Sequence, residues 1–259
     1  GEATDPVYAV TDGVVAYANE TAGHSNYGRY VVIEHDRFHP GIYSLYAHLA
    51  RVDGLIEPGV RVRAGDRIGT MGRSAAGYTI PRQRAHVHFE LGLRLTDDFQ
   101  RWYDAQGFGS KNRHGVWNGM NLVGFDPLAF YRKLKTGQAV DPASFLDREP
   151  RVVRLRIFTR EVPDFVKRYP QLIRGKLRND SVQAWDVGFT WYYLPVEWVP
   201  RYAGDGIEGE PGRLQLLEYD RDLLLEHRCR DSLKIGLNGN RITLDRGLRM
   251  TLELLFEVF

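Results

Sequence analysis

The stretch "RAHVHFELGL", residues 84–93, sets two histidines two positions apart inside an apolar run. Side chains alternate along a strand, so His86, His88 and Glu90 share one face and Ala85, Val87, Phe89 and Leu91 share the other. The second set reads as core. The first reads as a set of groups held ready for chemistry. Imidazole is the commonest metal ligand and a general base near neutral pH. There are eight histidines (His24, His35, His39, His48, His86, His88, His114 and His227), and six precede residue 90, so the search for a site centres there. A lone histidine on a strand is ordinarily a satisfied core or surface group, but a pair at i and i+2 is harder to dismiss. His48 ends "YSLYAHL", a second alternating strand in which Ile42, Ser44, Tyr46 and His48 would share a face. If the two strands are neighbours, His48, His86, His88 and Tyr46 converge. The alternative is that His48 only bonds a carbonyl at a strand end.

The elements that must position these groups are short and glycine-bounded. "PVYAV", "GVVAYAN", "RYVVIEH", "GIYSLYAHL", "RVRAGDRIGTM" and "AHVHFELGL" predict strands of a β-rich unit, barrel-like or sandwich-like. Pro58-Gly59 and Ala64-Gly65-Asp66 predict tight turns. Thr96-Asp97-Asp98 predicts the cap of a helix burying Phe99, Trp102 and Tyr103. A Gly- and Asn-rich loop follows over 105–124. Asp126-Pro127 predicts a helix start, with the helix running to Leu134. "KTGQAVDPASFLDREP" reads as a linker. Beyond it, "RVVRLRIFT", "QAWDVGFTWYYLPVEWV", "RLQLLEYD" and "LRMTLELLFEVF" read as strands. "SLKIGLNGNRITL" reads as a hairpin turning at Asn238-Gly239, and "VPDFVKRYPQLIRGKL" as a short helix broken at Pro170. The expected organisation is a unit over 1–136, a linker over 137–150 and a small β-rich accessory domain over 151–259. No catalytic spacing appears in the last, and its one histidine, His227, reads as structural or surface.

Composition limits the partners. Lys and Arg number 35 against 33 Asp and Glu, a net charge of +2 that gives no reason to expect nucleic acid. No stretch approaches the ~20 apolar residues of a membrane span. The single cysteine, Cys229, rules out an intrachain disulfide and a thiolate-rich zinc site, so any metal must sit on His and carboxylates. Cys229 itself reads as a buried, inert thiol.

"YSLYAHL", then "PGVRVRAGDRIGTMG", then "RAHVHFELGL" resemble the lysostaphin/LytM-type zinc metallopeptidases of bacterial cell walls. "DPVYAVTDGVV" resembles the family's opening strand pair, "NYGRYVVIEHD" the next strand, and "GFDPLAFY" its closing segment. The resemblance covers residues 1–135. It implies a mainly β fold: an antiparallel β barrel-sandwich with a few helices, followed by the second, small β-rich domain. It implies an endopeptidase of the periplasm or cell surface that cuts peptide cross-links or stems of peptidoglycan with zinc. Carried over by motif, His88 is a zinc ligand, His86 a catalytic histidine and His48 its partner. Zinc lowers the pKa of its bound water to roughly 7. The two histidines would take the proton and donate to the tetrahedral oxyanion, with no covalent intermediate. His35 matches a position given a structural role. Glu90 is either an acceptor that orients a histidine or a rim charge. A protein partner would use the C-terminal domain.

Three departures stand out. The family's His-x-x-x-Asp pair should precede "DPVYAV", where only Gly1–Thr4 lie; Asp5 cannot replace it, and Asp12 reads as a turn residue. One zinc ligand is therefore visible where at least three are expected. Either a native segment upstream of Gly1 is missing, or this is a family member without zinc that binds wall or partner. The family's Tyr-Gly-Asn is Tyr27-Gly28-Arg29 here, and a longer loop, "SAAGYTIPRQ", precedes Arg84-Ala85. Basic side chains at such a rim favour an acidic peptide stem if they line a cleft, and are merely solvated if they do not. A lipoyl- or biotin-carrier reading of "DGVVAYAN" and "VRAGDRIGTMG" fails for want of a hairpin-tip lysine, because the first lysine is Lys111.

Overall fold

The computed structural model describes residues 5–38, 41–178, 181–227, 233–235 and 242–256. His39, Cys229, the Asn238-Gly239 turn and residues 1–4 lie outside that set. The chain is mainly β and antiparallel, and it divides into two compact units, 1–94 with 108–132 and 95–107 with 133–259.

In the first unit the strands are β1 (Pro6–Tyr8), β2 (Gly13–Asn19), β3 (Arg29–His35), β4 (Ile42–Leu49), β5 (Arg51–Val52), β6 (Arg61–Val62), β7 (Arg67–Thr70), β8 (His88–Arg94) and β9 (Leu122–Phe125). Six of them make one antiparallel sheet in the order β6-β2-β3-β4-β8-β9, and β1-β7-β5 make a smaller one. Val7, Ile68 and Val52 of the small sheet pack with Val15, Val31, Ile33, Tyr46 and Leu49 of the large one. The opposite face buries Tyr30, Val32, Tyr43, Leu45 and Ala47 under Trp117. Both faces of β3 and β4 are thus covered, which is why these strands read as near-continuous apolar runs. The sheets pack as open layers, with no closed barrel among the described residues.

The second unit begins with α1 (Phe99–Ala105), which buries Phe99 and Tyr103. The next helix in the chain, α2 (Pro127–Lys135), belongs to the first unit as far as Arg132 and starts where Asp126 Oδ1 accepts the Leu128 and Ala129 amides at 2.8 and 3.1 Å. Within the segment read as a linker lies a short helix, α3 (Pro142–Leu146), closed by an Asp141–Ser144 capping box and burying Phe145 and Leu146. Strands β10 (Val153–Phe158), β11 (Val182–Phe189), β12 (Pro195–Tyr202) and β13 (Leu214–Tyr219) form a sheet in the order β12-β11-β10-β13. Asp186 is 2% exposed. It accepts Arg156 Nε and Nη2 at 2.6 and 2.8 Å and Arg201 Nε at 2.7 Å, fastening β10, β11 and β12 through a fully paired buried carboxylate. The helix α4 (Asp164–Arg168) gives way to a 3-10 turn at Pro170. Another helix, α5 (Arg221–Glu226), is capped by Asp220. Strands β14 (Leu233–Ile235) and β15 (Ile242–Leu244) pair antiparallel.

One element corrects the sequence reading. "LRMTLELLFEVF" was expected as a strand, yet Arg246–Phe256 is a helix, α6. Leu248, Leu252 and Leu255 fall at i, i+4 and i+7 and are all buried. Asp245 Oδ2 accepts the Gly247 amide at 3.0 Å and starts the helix. The Met-Thr-Leu-Glu-Leu alternation imitates period 2 for only five residues.

Candidate functional site

The site is built where β4 meets β8. Ala47 pairs with His88, Tyr46 with Phe89 and Leu45 with Glu90, so the strands are neighbours. Alternation would put His48 with Ser44 and Tyr46, on the face opposite His88. The chain avoids this with a bulge. Arg29 pairs with Leu49 but Val31 pairs with Tyr46, so Tyr30 alone opposes both Ala47 and His48. His48 takes φ +60, a left-handed backbone that side chains other than glycine rarely adopt. Its amide donates to the Tyr27 carbonyl at 2.8 Å. The bulge carries the imidazole across to His86 and His88, with ring centroids 5.0 and 5.8 Å away. Alternation alone offered no signal for this.

The structure thus brings His48, His86 and His88 together and leaves Tyr46 out. Tyr46 lies on the other face, against Phe89 at 5.3 Å. Its hydroxyl accepts the Val10 amide and the Ser44 hydroxyl. His35 joins that second network, fully buried, with one nitrogen 2.8 Å from the Asp12 carbonyl and the other 2.7 Å from Ser44 Oγ. Burial lowers its pKa, opposed by the bond to Asp12. His114 is likewise occupied at both nitrogens, by the Tyr17 hydroxyl and the His24 carbonyl.

Each imidazole of the cluster is held by one nitrogen. His48 Nδ1 donates to the Ser74 carbonyl at 2.8 Å and His86 Nδ1 to the Arg84 carbonyl at 2.8 Å, so each presents Nε2 as a lone pair. His88 Nε2 donates to Glu90 Oε1 at 2.7 Å and presents Nδ1. Burial lowers the pKa of His48, the Ser74 bond opposes this, and neighbouring His86 and His88 lower it further. His48 is therefore a neutral base at pH 7. Glu90 also accepts the Tyr27 hydroxyl at 2.7 Å and the Tyr43 hydroxyl at 3.2 Å. Burial raises its pKa, but these bonds and His88 outweigh that and hold it below the ordinary carboxylate value. Glu90 is an orienting acceptor, and the two tyrosines that fix it were not apparent from the sequence. The backs of the histidines are packed by Val87 and Phe89, which lie against the inter-sheet core.

The sequence model of Peptidase family M23 matches residues 1–98. Over those residues the chain is similar to that family. Among solved structures, a zinc-containing peptidase from Vibrio cholerae is 30% identical over 35% of this chain and 24% of that one, TM-score 0.28. A putative glycyl-glycine endopeptidase LytM from Ruminococcus gnavus is 31% identical over 36% and 35%, TM-score 0.29. The catalytic domain of lysostaphin from Staphylococcus simulans is 21% identical over 51% and 74%, TM-score 0.32. The chain spans 24% of the Vibrio protein and 35% of the Ruminococcus protein, and the similarity to the family model is confined to residues 1–98. No curated protein matches the chain at a significant level.

A zinc ion fits this cluster only in part. Catalytic zinc takes three protein ligands and an open position. Among the described residues no group of three or more His, Cys, Asp or Glu is placed to hold a metal ion. His88, fixed by a carboxylate at Nε2 and open at Nδ1, has the arrangement of a metal-binding imidazole. The other ligands of a complete site would have to come from outside the described residues.

Proposed function

We propose that the first unit is the histidine-bearing part of a zinc-dependent endopeptidase that hydrolyses peptide bonds in bacterial peptidoglycan cross-links, working outside the cytoplasm. One observation carries the reading. The imidazoles of His86 and His88 lie 5.0 and 5.8 Å from that of His48, and each of the three is held in one tautomer with the other nitrogen open, on the residues that match the peptidase family. In that reading His86 and His48 are the catalytic pair. A neutral Nε2 takes a proton from the attacking water and returns it to the leaving amine. While protonated, it donates to the oxyanion. The backbone carbonyls at Nδ1 keep both rings in the tautomer this requires. Residues 151–259 serve as an accessory domain for a protein partner. No helix among the described residues is long and apolar enough to cross a membrane.

A second reading has its own support. The described residues place no three donors together, and a surface of that kind would bind wall peptides without cutting them, or regulate a partner. Metal analysis of the full-length natural gene product, with digestion of purified peptidoglycan, separates the two. The peptidase reading expects one zinc per chain and release of soluble peptides, abolished by a chelator. Wall binding with neither zinc nor release would establish the second.

A further inference from the structure

A cleft of about 660 Å³ opens beside the histidines. Arg29, Arg73 and Arg82 line it with Ser74, Tyr78 and Thr79, and no described Asp or Glu does. The cleft shares its walls with the cluster. Ser74 gives its carbonyl to His48 Nδ1, Tyr78 sets its ring edge-on to His48 at 6.4 Å, and Ala85 immediately precedes His86.

The wall is built to stay in place. Gly28 has φ +65, and a Cβ there would lie 2.1 Å from the Ser74 carbonyl oxygen, so only glycine lets the two segments touch. The Arg29 amide donates to Ser74 Oγ at 2.8 Å, and that hydroxyl donates to the Leu49 carbonyl at 2.7 Å. Tyr78 reaches the Asn26 carbonyl at 3.3 Å. Arg29 spends Nε on the Glu20 carbonyl, and Arg73 spends Nη1 on the Ile80 carbonyl. Both partners are neutral, so these bonds orient the guanidinium groups without cancelling their charge. Like charges around one concavity focus a positive potential into it. The planar guanidinium fork matches a carboxylate in a bidentate pair.

We propose that this cleft is a subsite for a carboxylate-bearing segment of the peptide ligand, seated beside His48 and His86, with Arg73 and Arg82 setting the preference for acid over amide. The ligand class rests on the peptidase-family reading above. The subsite explains why the loop over 74–83 carries arginine and tyrosine against the histidines.

The test is calorimetric binding by the full chain of an acidic stem peptide with free glutamyl and C-terminal carboxylates, against the same peptide with both as carboxamides. The native protein should bind the acid roughly tenfold more tightly. In R73Q/R82Q the acid should lose about tenfold and the amide less than twofold; both arginines are exposed, so the fold should persist. Equal binding of the two peptides, binding of neither, or equal loss of both in the variant would overturn the proposal. So would displacement of the acid by millimolar inorganic phosphate, which would mark a generic anion site. Hydrolysis is followed in parallel. Acid preference without cleavage leaves the subsite standing and sinks the peptidase reading; cleavage of both peptides at equal kcat/KM does the reverse.

Discussion

His35 and His48 sit on neighbouring strands of one sheet and are 0% and 5% exposed. They differ in how their second nitrogen is used. His35 is bonded on both sides, within a closed network of Asp12, Ser44 and Tyr46. His48 is bonded on one side only, and a strained bulge turns it toward two more imidazoles. Burial alone therefore does not separate structural from functional histidines here. The free lone pair does, and so does the backbone strain accepted to aim it. His114, occupied at both nitrogens, falls with His35.

The largest effect should come from removing an open imidazole. His86→Ala in the full-length gene product should lower peptidoglycan hydrolysis by about 10²–10⁴-fold, the contribution of a positioned acid/base. Its melting temperature should scarcely move, because His86 is exposed. A rate within threefold of the native protein would break the distinction. His35→Ala should do the opposite. It takes one partner from Ser44 Oγ, which keeps its bond to Tyr46, removes the imidazole from the Asp12 carbonyl and opens a cavity, which costs about 2–4 kcal/mol in denaturant titrations. Peptide binding per folded molecule should be unchanged.

The same pair differs in pH response. Burial holds the folded-state pKa of His35 below its unfolded value of roughly 6.5. As pH falls through that value the unfolded chain takes up a proton that the folded chain refuses. The stability present above it is then lost progressively, until the folded pKa is reached. The loss from this group approaches about 1.4 kcal/mol per pH unit. Stability measured between pH 7 and 5 should fall less steeply in His35→Gln; an identical slope would show that His35 does not refuse the proton.

Much of the site was legible in the sequence because alternation is a local property. The shared face of His86, His88 and Glu90 follows from spacing, and the β4–β8 pairing follows once the strands are neighbours. The aim of His48 was not legible. A bulge is set by register against Tyr30, which no pattern within "YSLYAHL" encodes, so Tyr46 was placed with the cluster when it belongs to the other face. The ends of the chain of contacts were hidden for a similar reason: Tyr27 and Tyr43 reach Glu90, and Ser74 reaches His48, from separate strands and loops. In α6, a five-residue alternation outweighed the longer i, i+4, i+7 spacing of Leu248, Leu252 and Leu255 that tertiary packing selects.

Glu90 offers the finest division between an imidazole that is held and one that is merely buried. Its carboxylate fixes His88 with Nε2 protonated and Nδ1 open, and it is itself fixed by Tyr27 and Tyr43. Glu90→Gln keeps the size and one acceptor oxygen but removes the charge. A charge-assisted bond becomes a neutral one, a change of about 1 kcal/mol in tautomer preference. Long-range ¹H–¹⁵N spectra of the imidazoles should show a single Nε2–H tautomer for His88 in the native protein and a mixture in the variant. The His48 and His86 signals should hold, since backbone carbonyls that the substitution leaves untouched set their tautomers. A mixture already present in the native protein would mean that Glu90 does not orient His88, and that its lone pair is no better placed than chance would have it.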